Sequence, residues 1–338
     1  MSGARGACVR AADTESIALA ARLLAGGEAV ALPTETVYGL GADAASARAV
    51  AEIYRIKGRP ADHPLIVHVL GLDDAHWWGE IGDDARRLID AFWPGPLTLI
   101  VRRRSGAPSF ASAGQDTVGL RAPAHPVARA LLEAFAALGG HGIAAPSANR
   151  FGRVSPTRAE HVADDLDGDV ALILDGGPCD VGVESTIVDV SRGTPVLMRP
   201  GGVDETRLAE VLGRVPAPRD ALAPRASGTL AAHYAPRTPL EIVAGGEARE
   251  RVERCAREGL RVALWSAREP HPRPAALVHW EPAPDDPRRY ARALYGTLRA
   301  LDRLGADRLL VEAPPPGPRW DAVRDRLARA AAAFEERK

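Results

Sequence analysis

The stretch EAVALPTETVYGLGADA, residues 28–44, decides the fold of the first half of the chain. Its apolar start, EAVALP (28–33), predicts a short buried strand. Two threonines and a glutamate follow, and then Gly39 and Gly41, whose backbone freedom predicts a tight turn before a helix at 46–57. Polar groups between a strand and a helix indicate either a turn or a binding site at the strand end of an α/β sheet.

Apolar segments of strand length recur through the following residues, at 65–70, 97–103, 117–123, 142–146, 170–175, 185–190 and 195–200. Helical periodicity is found at 14–26, 46–57, 83–91, 126–137, 157–166 and 204–213. Because strands outnumber helices and several follow one another directly, the pattern predicts a mixed sheet with helices packed on it, and not a regular βαβ alternation.

The organisation changes after residue 213. Residues 214–239 contain five prolines and no periodicity, which predicts a linker between a first domain, 1–213, and a second, 240–338. In the second domain short strands alternate with helices, as expected for a small Rossmann-like α/β domain.

Composition excludes several classes of protein. The 338 residues carry a net charge of −1, so no global positive field marks a general nucleic-acid binder. The three cysteines are far apart and form neither a disulfide framework nor a Cys-x-x-Cys metal site. No segment has the length of a membrane span and the first residues lack an apolar signal core, so we expect a cytoplasmic protein without a membrane partner.

The two lysines and the single asparagine are informative because 41 of the 43 basic residues are arginine. Lys57 lies inside the fold, where an arginine would cap a helix equally well, and Asn149 is the sole asparagine. Lys57 is followed by Gly58 and Arg59, which excludes a Walker A loop. A compact ammonium beside a forked guanidinium predicts a pair that clamps phosphate.

Further polar residues repeatedly follow apolar strands. They are found in the segments YRIKGRPADHPLIVH (54–68), TVGLRAPAHP (117–126), APSANRFGRVSPT (145–157), DGGPCDVGVESTIVD (175–189) and LMRPGG (197–202). Hydroxyls, amides and cations at strand ends fit a nucleotide site with an anionic second substrate better than they fit hydrolysis.

PTETVYGLG (33–41), followed by these motifs in this order, resembles the YrdC-like family of L-threonylcarbamoyladenylate synthases, and the HYAP segment (233–236) with the second domain resembles its longer, two-domain members. The resemblance implies an open, twisted α/β sheet with a concave cavity. It also implies a nucleotidyltransferase that converts L-threonine, bicarbonate and ATP to threonylcarbamoyl-AMP and pyrophosphate. A downstream threonylcarbamoyl transferase would then act on tRNA.

The resemblance also implies the residues of the site. Threonine would be bound by Thr36, His68, Arg121, Ala145 and Ser185. ATP would be bound by Lys57, Arg59, His63, Thr117, Ser147, Asn149, Ser155, Arg199 and Tyr234. Lys57 and Arg59 would be catalytic, His63 would act by side chain or backbone, and Tyr234 would close the cavity as part of a lid formed by the linker. Mg²⁺ is expected with ATP, without an evident protein ligand.

Three other functions remain open on the sequence alone. A YrdC-like module that binds RNA weakly, without adenylylation, is the main alternative. The segment GLGADA (39–44) also matches the GxGxxA dinucleotide fingerprint, which would suggest an NAD-dependent dehydrogenase. Carbamoyl transfer of the hydrogenase-maturation kind is disfavoured, because the domains that accompany it are missing from this sequence.

Overall fold

The computed structural model describes residues 8–166 and 168–335. The described chain forms two compact units, the first from residues 8–151 and 155–229 and the second from 152–154 and 230–335. The stretch predicted as a linker is divided between them: residues 214–229 belong to the first unit and 230–239 to the second.

The described part of the first unit contains an eleven-stranded mixed sheet, in the order β1-β8-β2-β3-β7-β4-β6-β5-β9-β10-β11. Its strands are β1 (Val9–Ala11), β2 (Val30–Leu32), β3 (Gly39–Asp43), β4 (Ile66–His68), β5 (Leu97–Arg102), β6 (Thr117–Arg121), β7 (Ile143–Ala144), β8 (Leu172–Asp175), β9 (Thr186–Asp189), β10 (Val196–Arg199) and β11 (Ala217–Pro218). The predicted mixed, open sheet is confirmed.

Helices pack on this sheet in two apolar clusters. The helices are α1 (Thr14–Ala25), α2 (Ala47–Lys57), α3 (Leu72–Trp78), α4 (Asp83–Phe92), α5 (Pro126–Ala136), α6 (Ala159–Leu166) and α7 (Glu205–Leu212). α1 and α5 share one cluster, and α2, α4, α6 and α7 contribute to a larger one. Several of these helices begin at a side-chain cap, such as Asp13, which accepts a hydrogen bond from the Ser16 amide at 2.8 Å.

The prediction of a turn at Gly39 and Gly41 is wrong. Both glycines lie in β3, which pairs antiparallel with β2 so that Gly41 faces Val30. A Cβ on Gly41 would lie within 2.9 Å of side-chain carbons of Leu32 and Ile143, so this glycine is required for close packing. A dinucleotide fingerprint needs a strand-turn-helix at these residues, and a strand through them excludes the dehydrogenase alternative.

The second unit contains a parallel four-stranded sheet in the order β12-β15-β13-β14. Its strands are β12 (Leu240–Val243), β13 (Val262–Ser266), β14 (Leu277–Pro282) and β15 (Arg308–Glu312), and its helices are α8 (Ala248–Arg257), α9 (Pro287–Asp302) and α10 (Asp321–Glu335). A 3₁₀ turn at Pro318–Trp320 precedes α10. The parallel pairing confirms the Rossmann-like prediction. Among the described residues, no helix is long and apolar enough to cross a membrane.

Candidate active site

The residues predicted to bind threonine come from neighbouring strands of the first unit. β4 and β6 run parallel with His68 opposite Arg121, and the Ala145 amide donates to the Ile66 carbonyl of β4 at 3.0 Å. Thr36 joins them from the loop before β3, where its Oγ1 accepts a hydrogen bond from Arg121 Nη1 at 2.9 Å. The structure therefore brings His68, Arg121, Thr36 and Ala145 into one region of the sheet.

Ser185 precedes β9, on the far side of β6 and β5 from β4. Its Oγ lies 2.7 Å from Thr98 Oγ1 on β5, and its carbonyl oxygen accepts from Arg199 Nη2 at 2.9 Å. All three side chains are buried. The hydrogen bonds place a predicted threonine contact, Ser185, beside a predicted ATP contact, Arg199, so the two sets of residues meet here.

Arg121 is held by more than one partner. Its Nη2 lies 2.6 Å from Glu35 Oε1, and its Nε donates to the Gly95 carbonyl at 3.3 Å. Both charged side chains are nearly inaccessible to solvent, so the ion pair is buried. Burial raises the pKa of Glu35, but the charge of Arg121 and hydrogen bonding to the carboxylate, including the bond from the Ala124 amide, outweigh it and hold this pKa below its ordinary value.

His68 is a neutral imidazole in this environment. Burial, followed by the positive charge of Arg121, lowers the pKa of His68 to about 3. Its Nδ1 is buried and has no hydrogen-bond partner among the described residues. A buried polar atom of this kind can serve a bound molecule that supplies the missing partner.

Lys57 ends α2 and reaches the loop that carries Ser147 and Asn149. Its ammonium donates to the carbonyl oxygen of Asn149 at 2.6 Å and also to that of Ser147. The side chain is 3% exposed, and burial, then the charge of Arg59, lower the pKa of Lys57 well below its ordinary value. The two carbonyls take two of the three ammonium donors, so Lys57 ties α2 to this loop, and its predicted contact with phosphate remains a prediction.

Arg59 and Arg199 both contact Ser227, in the segment of residues 225–227. Arg59 Nη2 lies 3.4 Å from Ser227 Oγ, and Arg199 Nη1 donates to the Ser227 carbonyl at 2.9 Å. Arg59 also lies over the ring of Phe151, 5.6 Å from its centroid. Two buried guanidinium groups that share one partner are suited to share an anion.

Gln115 binds the same segment with both ends of its amide. Its Oε1 accepts from the Arg225 amide at 2.9 Å, and its Nε2 donates to the Arg225 carbonyl at 3.2 Å. A cavity of about 20 Å³, lined by Thr117, Thr98 and Ser227 among others, lies beneath. This volume admits a water molecule and not a nucleotide. Residues 225–227 therefore line the same small cavity as Thr117, and the predicted contact of Thr117 with ATP remains a prediction.

The remaining predicted contacts lie in different places. Ser155 Oγ donates to Glu184 Oε1 at 2.7 Å in the first unit. The His63 carbonyl accepts from Tyr54 Oη at 2.9 Å, while burial, then Arg59, lower the pKa of the His63 ring. Tyr234 belongs to the second unit, where its ring lies 5.2 Å from the Arg326 guanidinium. Its predicted role as a lid remains a prediction.

Sequence reasoning missed three polar residues that hold predicted site residues in place, Glu35, Thr98 and Glu184, and a fourth, Gln115, that holds the backbone of Arg225. Glu35 lies inside the quoted PTETVYGLG motif (33–41), and Gln115 is the sole glutamine of the chain, so both carried a signal. Their partners are distant in sequence, and only the fold reveals them. Among the described residues, no group of three or more His, Cys, Asp or Glu side chains could hold a metal ion.

The fold and the site define a YrdC-like α/β domain joined to a second, parallel α/β domain. Residues 22–201 match the family described as Telomere recombination, which groups Sua5, YciO and YrdC, and residues 203–332 match the C-terminal domain of threonylcarbamoyl-AMP synthase. The chain belongs to the threonylcarbamoyl-AMP synthase family of enzymes.

Full-length relatives support the same assignment. The threonylcarbamoyl-AMP synthase of Bacillus subtilis is 40% identical over 330 residues, which cover 93% of this chain and 92% of the relative. That of Pyrococcus abyssi is 38% identical over 93% of both chains. The crystal structure of P. abyssi Sua5 complexed with L-threonine matches with a TM-score of 0.87 and 35% identity, over 96% of both chains.

Proposed function

We propose that this protein is an L-threonylcarbamoyladenylate synthase, a nucleotidyltransferase that forms threonylcarbamoyl-AMP and pyrophosphate from L-threonine, bicarbonate and ATP. The observation that carries the proposal is the meeting of two residue sets at Ser185. Its hydroxyl and carbonyl lie against Arg199, and the strand that follows it, β9, belongs to the sheet that carries His68 and Arg121. The names of the relatives, and the threonine bound to the P. abyssi structure, support this choice of substrates.

In this reaction the substrate supplies the nucleophile. The threonine amine takes up CO₂ from bicarbonate to give a carbamate, and a carbamate oxygen attacks the α-phosphorus of ATP as pyrophosphate leaves. The protein then has to align two anions and stabilise charge at phosphorus, which cations and fixed donors do. Arg121 would bind the threonine carboxylate, and Arg59 and Arg199 would face the phosphates.

The loop of Ser147 and Asn149 would bind ATP through its hydroxyl, amide and backbone groups. Lys57 fixes the path of this loop through its two carbonyl contacts, so we assign it the task of keeping the loop ready for the nucleotide. Ser155 would contribute its hydroxyl, whose position is set by Glu184. Thr117 would also contact ATP.

We expect Mg²⁺ to arrive as the complex with ATP. The described residues contain no cluster fit to hold the ion, so phosphate oxygens and water would supply its ligands, and no step is assigned to it. The product would pass to a threonylcarbamoyl transferase that modifies tRNA. A cytoplasmic location follows from that role.

The test is pyrophosphate release by the purified full-length chain. Release that needs ATP, L-threonine and bicarbonate together supports the proposal. RNA binding that weakens with salt, without pyrophosphate release, would instead favour the RNA-binding alternative.

A further inference from the structure

We infer that Glu35 is a positioning residue for substrate binding, which fixes the orientation of the Arg121 guanidinium so that it can accept the carboxylate of the amino acid. The inference rests on the proposed function, because it assumes that Arg121 meets that carboxylate. It adds a residue for which neither the resemblance nor the site prediction gives a role.

The two carboxylate oxygens of Glu35 contact different groups. One carboxylate oxygen, Oε1, lies 2.6 Å from Arg121 Nη2, and the other, Oε2, accepts the Ala124 amide at 3.1 Å. Ala124 lies between the end of β6 and the start of α5, so the carboxylate ties the guanidinium to its own strand end. The backbone of Glu35 is itself fixed, since its carbonyl accepts the Val181 amide at 2.7 Å.

The contact with Glu35 is one of several that hold the Arg121 guanidinium in one orientation. Thr36 Oγ1 and the Gly95 carbonyl take further donors of the guanidinium, which cannot rotate without breaking several contacts. A guanidinium has five N–H groups in one plane, so fixing some of them fixes the direction of the rest. Glu35 therefore determines where Arg121 can present a donor to a carboxylate.

Two physical effects of Glu35 oppose each other, and their opposition makes the inference testable. The negative charge of Glu35 reduces the attraction of Arg121 for an anion, so an electrostatic effect alone predicts tighter threonine binding when that charge is removed. The positioning effect predicts weaker binding, because the freed guanidinium loses its orientation. Whether threonine affinity rises or falls on removal of the charge therefore distinguishes the electrostatic effect from the positioning effect.

The experiment measures L-threonine and ATP binding to the full-length chain by calorimetry. Glu35→Gln removes the charge and keeps the size of the side chain, whereas Glu35→Asp keeps the charge but is too short to reach both Arg121 and Ala124. Glu52→Gln is the matched control, since it breaks a surface ion pair with Arg55 whose atoms lie 2.6 Å apart.

We expect both Glu35 variants to weaken threonine affinity, Glu35→Gln by about 10- to 100-fold, because it removes the buried ion pair that orients the Arg121 guanidinium. ATP affinity should change little, and the ratio of L-threonine to L-serine affinity should stay constant because both share the carboxylate. A merely structural role would instead lower the number of binding sites per chain and the unfolding midpoint, without changing Kd.

Each outcome supports or overturns the inference. Wild-type threonine affinity in both Glu35 variants, or tighter binding in Glu35→Gln, overturns the inference and leaves the proposed function intact. Failure of the wild-type chain to bind threonine overturns the proposed function and the inference together. If Glu35→Gln fails to fold, Glu35→Asp alone provides the test, with weaker threonine binding as support and unchanged binding as refutation.

Discussion

Replacement of Lys57 by methionine tests how the nucleotide-binding loop is held. The change keeps an unbranched side chain, one atom shorter, and removes the ammonium that donates to the Ser147 and Asn149 carbonyls. Each buried carbonyl left without a donor costs about 1–3 kcal/mol, and removal of a buried charge offsets part of this cost. We expect Lys57→Met to lower the free energy of unfolding by about 2 kcal/mol.

The same change should reduce pyrophosphate release by about 100-fold or more, because the loop would no longer be fixed for ATP. Urea unfolding and pyrophosphate release measure the two effects on one preparation. Arg55→Met is the matched control: it lies on the same helix, its exposed side chain pairs with Glu52, and such pairs contribute about 0–1 kcal/mol. A Lys57→Met variant with the wild-type free energy of unfolding and the wild-type rate of pyrophosphate release would refute the role of Lys57 in holding this loop.

Three further predictions concern named side chains. Lys57→Arg should fold but lose most turnover, because a guanidinium fork does not fit between two buried carbonyls; near-wild-type turnover would contradict this. The pKa of His68, about 3 against an ordinary 6.5, means that its contribution to stability is present above pH 6.5 and is lost as the pH falls toward 3. Between about pH 6.5 and 4.5 the wild type should therefore lose about 2 kcal/mol more unfolding free energy than His68→Gln, and equal losses in urea titrations would argue against a buried neutral imidazole. Tyr234→Ala should weaken ATP retention more than threonine affinity in binding assays, and the reverse order would count against a lid.

Strand positions could be predicted because burial leaves a local pattern. The apolar run LTLIVRR (97–103), for example, predicts a strand that the structure places at Leu97–Arg102. The turn expected at Gly39 and Gly41 was wrong for a physical reason. Glycine is required both where a turn needs its conformational freedom and where packing leaves no room for a Cβ, and the sequence alone does not separate these cases.

In the site, too, features that depend on neighbouring residues in the sequence could be predicted, whereas contacts between distant residues could not. Polar residues at strand ends, such as Arg121 and Arg199, could be found from their position after an apolar run. The contacts that orient them could not, because Glu35 meets Arg121, and Ser227 meets Arg199, only through the fold. Composition singled out Lys57, but its burial and its two carbonyl partners are seen only in the structure.

The measurement that tests the central claim most directly is pyrophosphate release from ATP by the full-length chain, with L-threonine and bicarbonate omitted in turn. The account predicts release only when both are present, because the carbamate formed from them is the nucleophile. Release that continues without threonine would contradict the account, since ATP would then be cleaved by a reaction in which the residues around Arg121 and His68 have no substrate to bind.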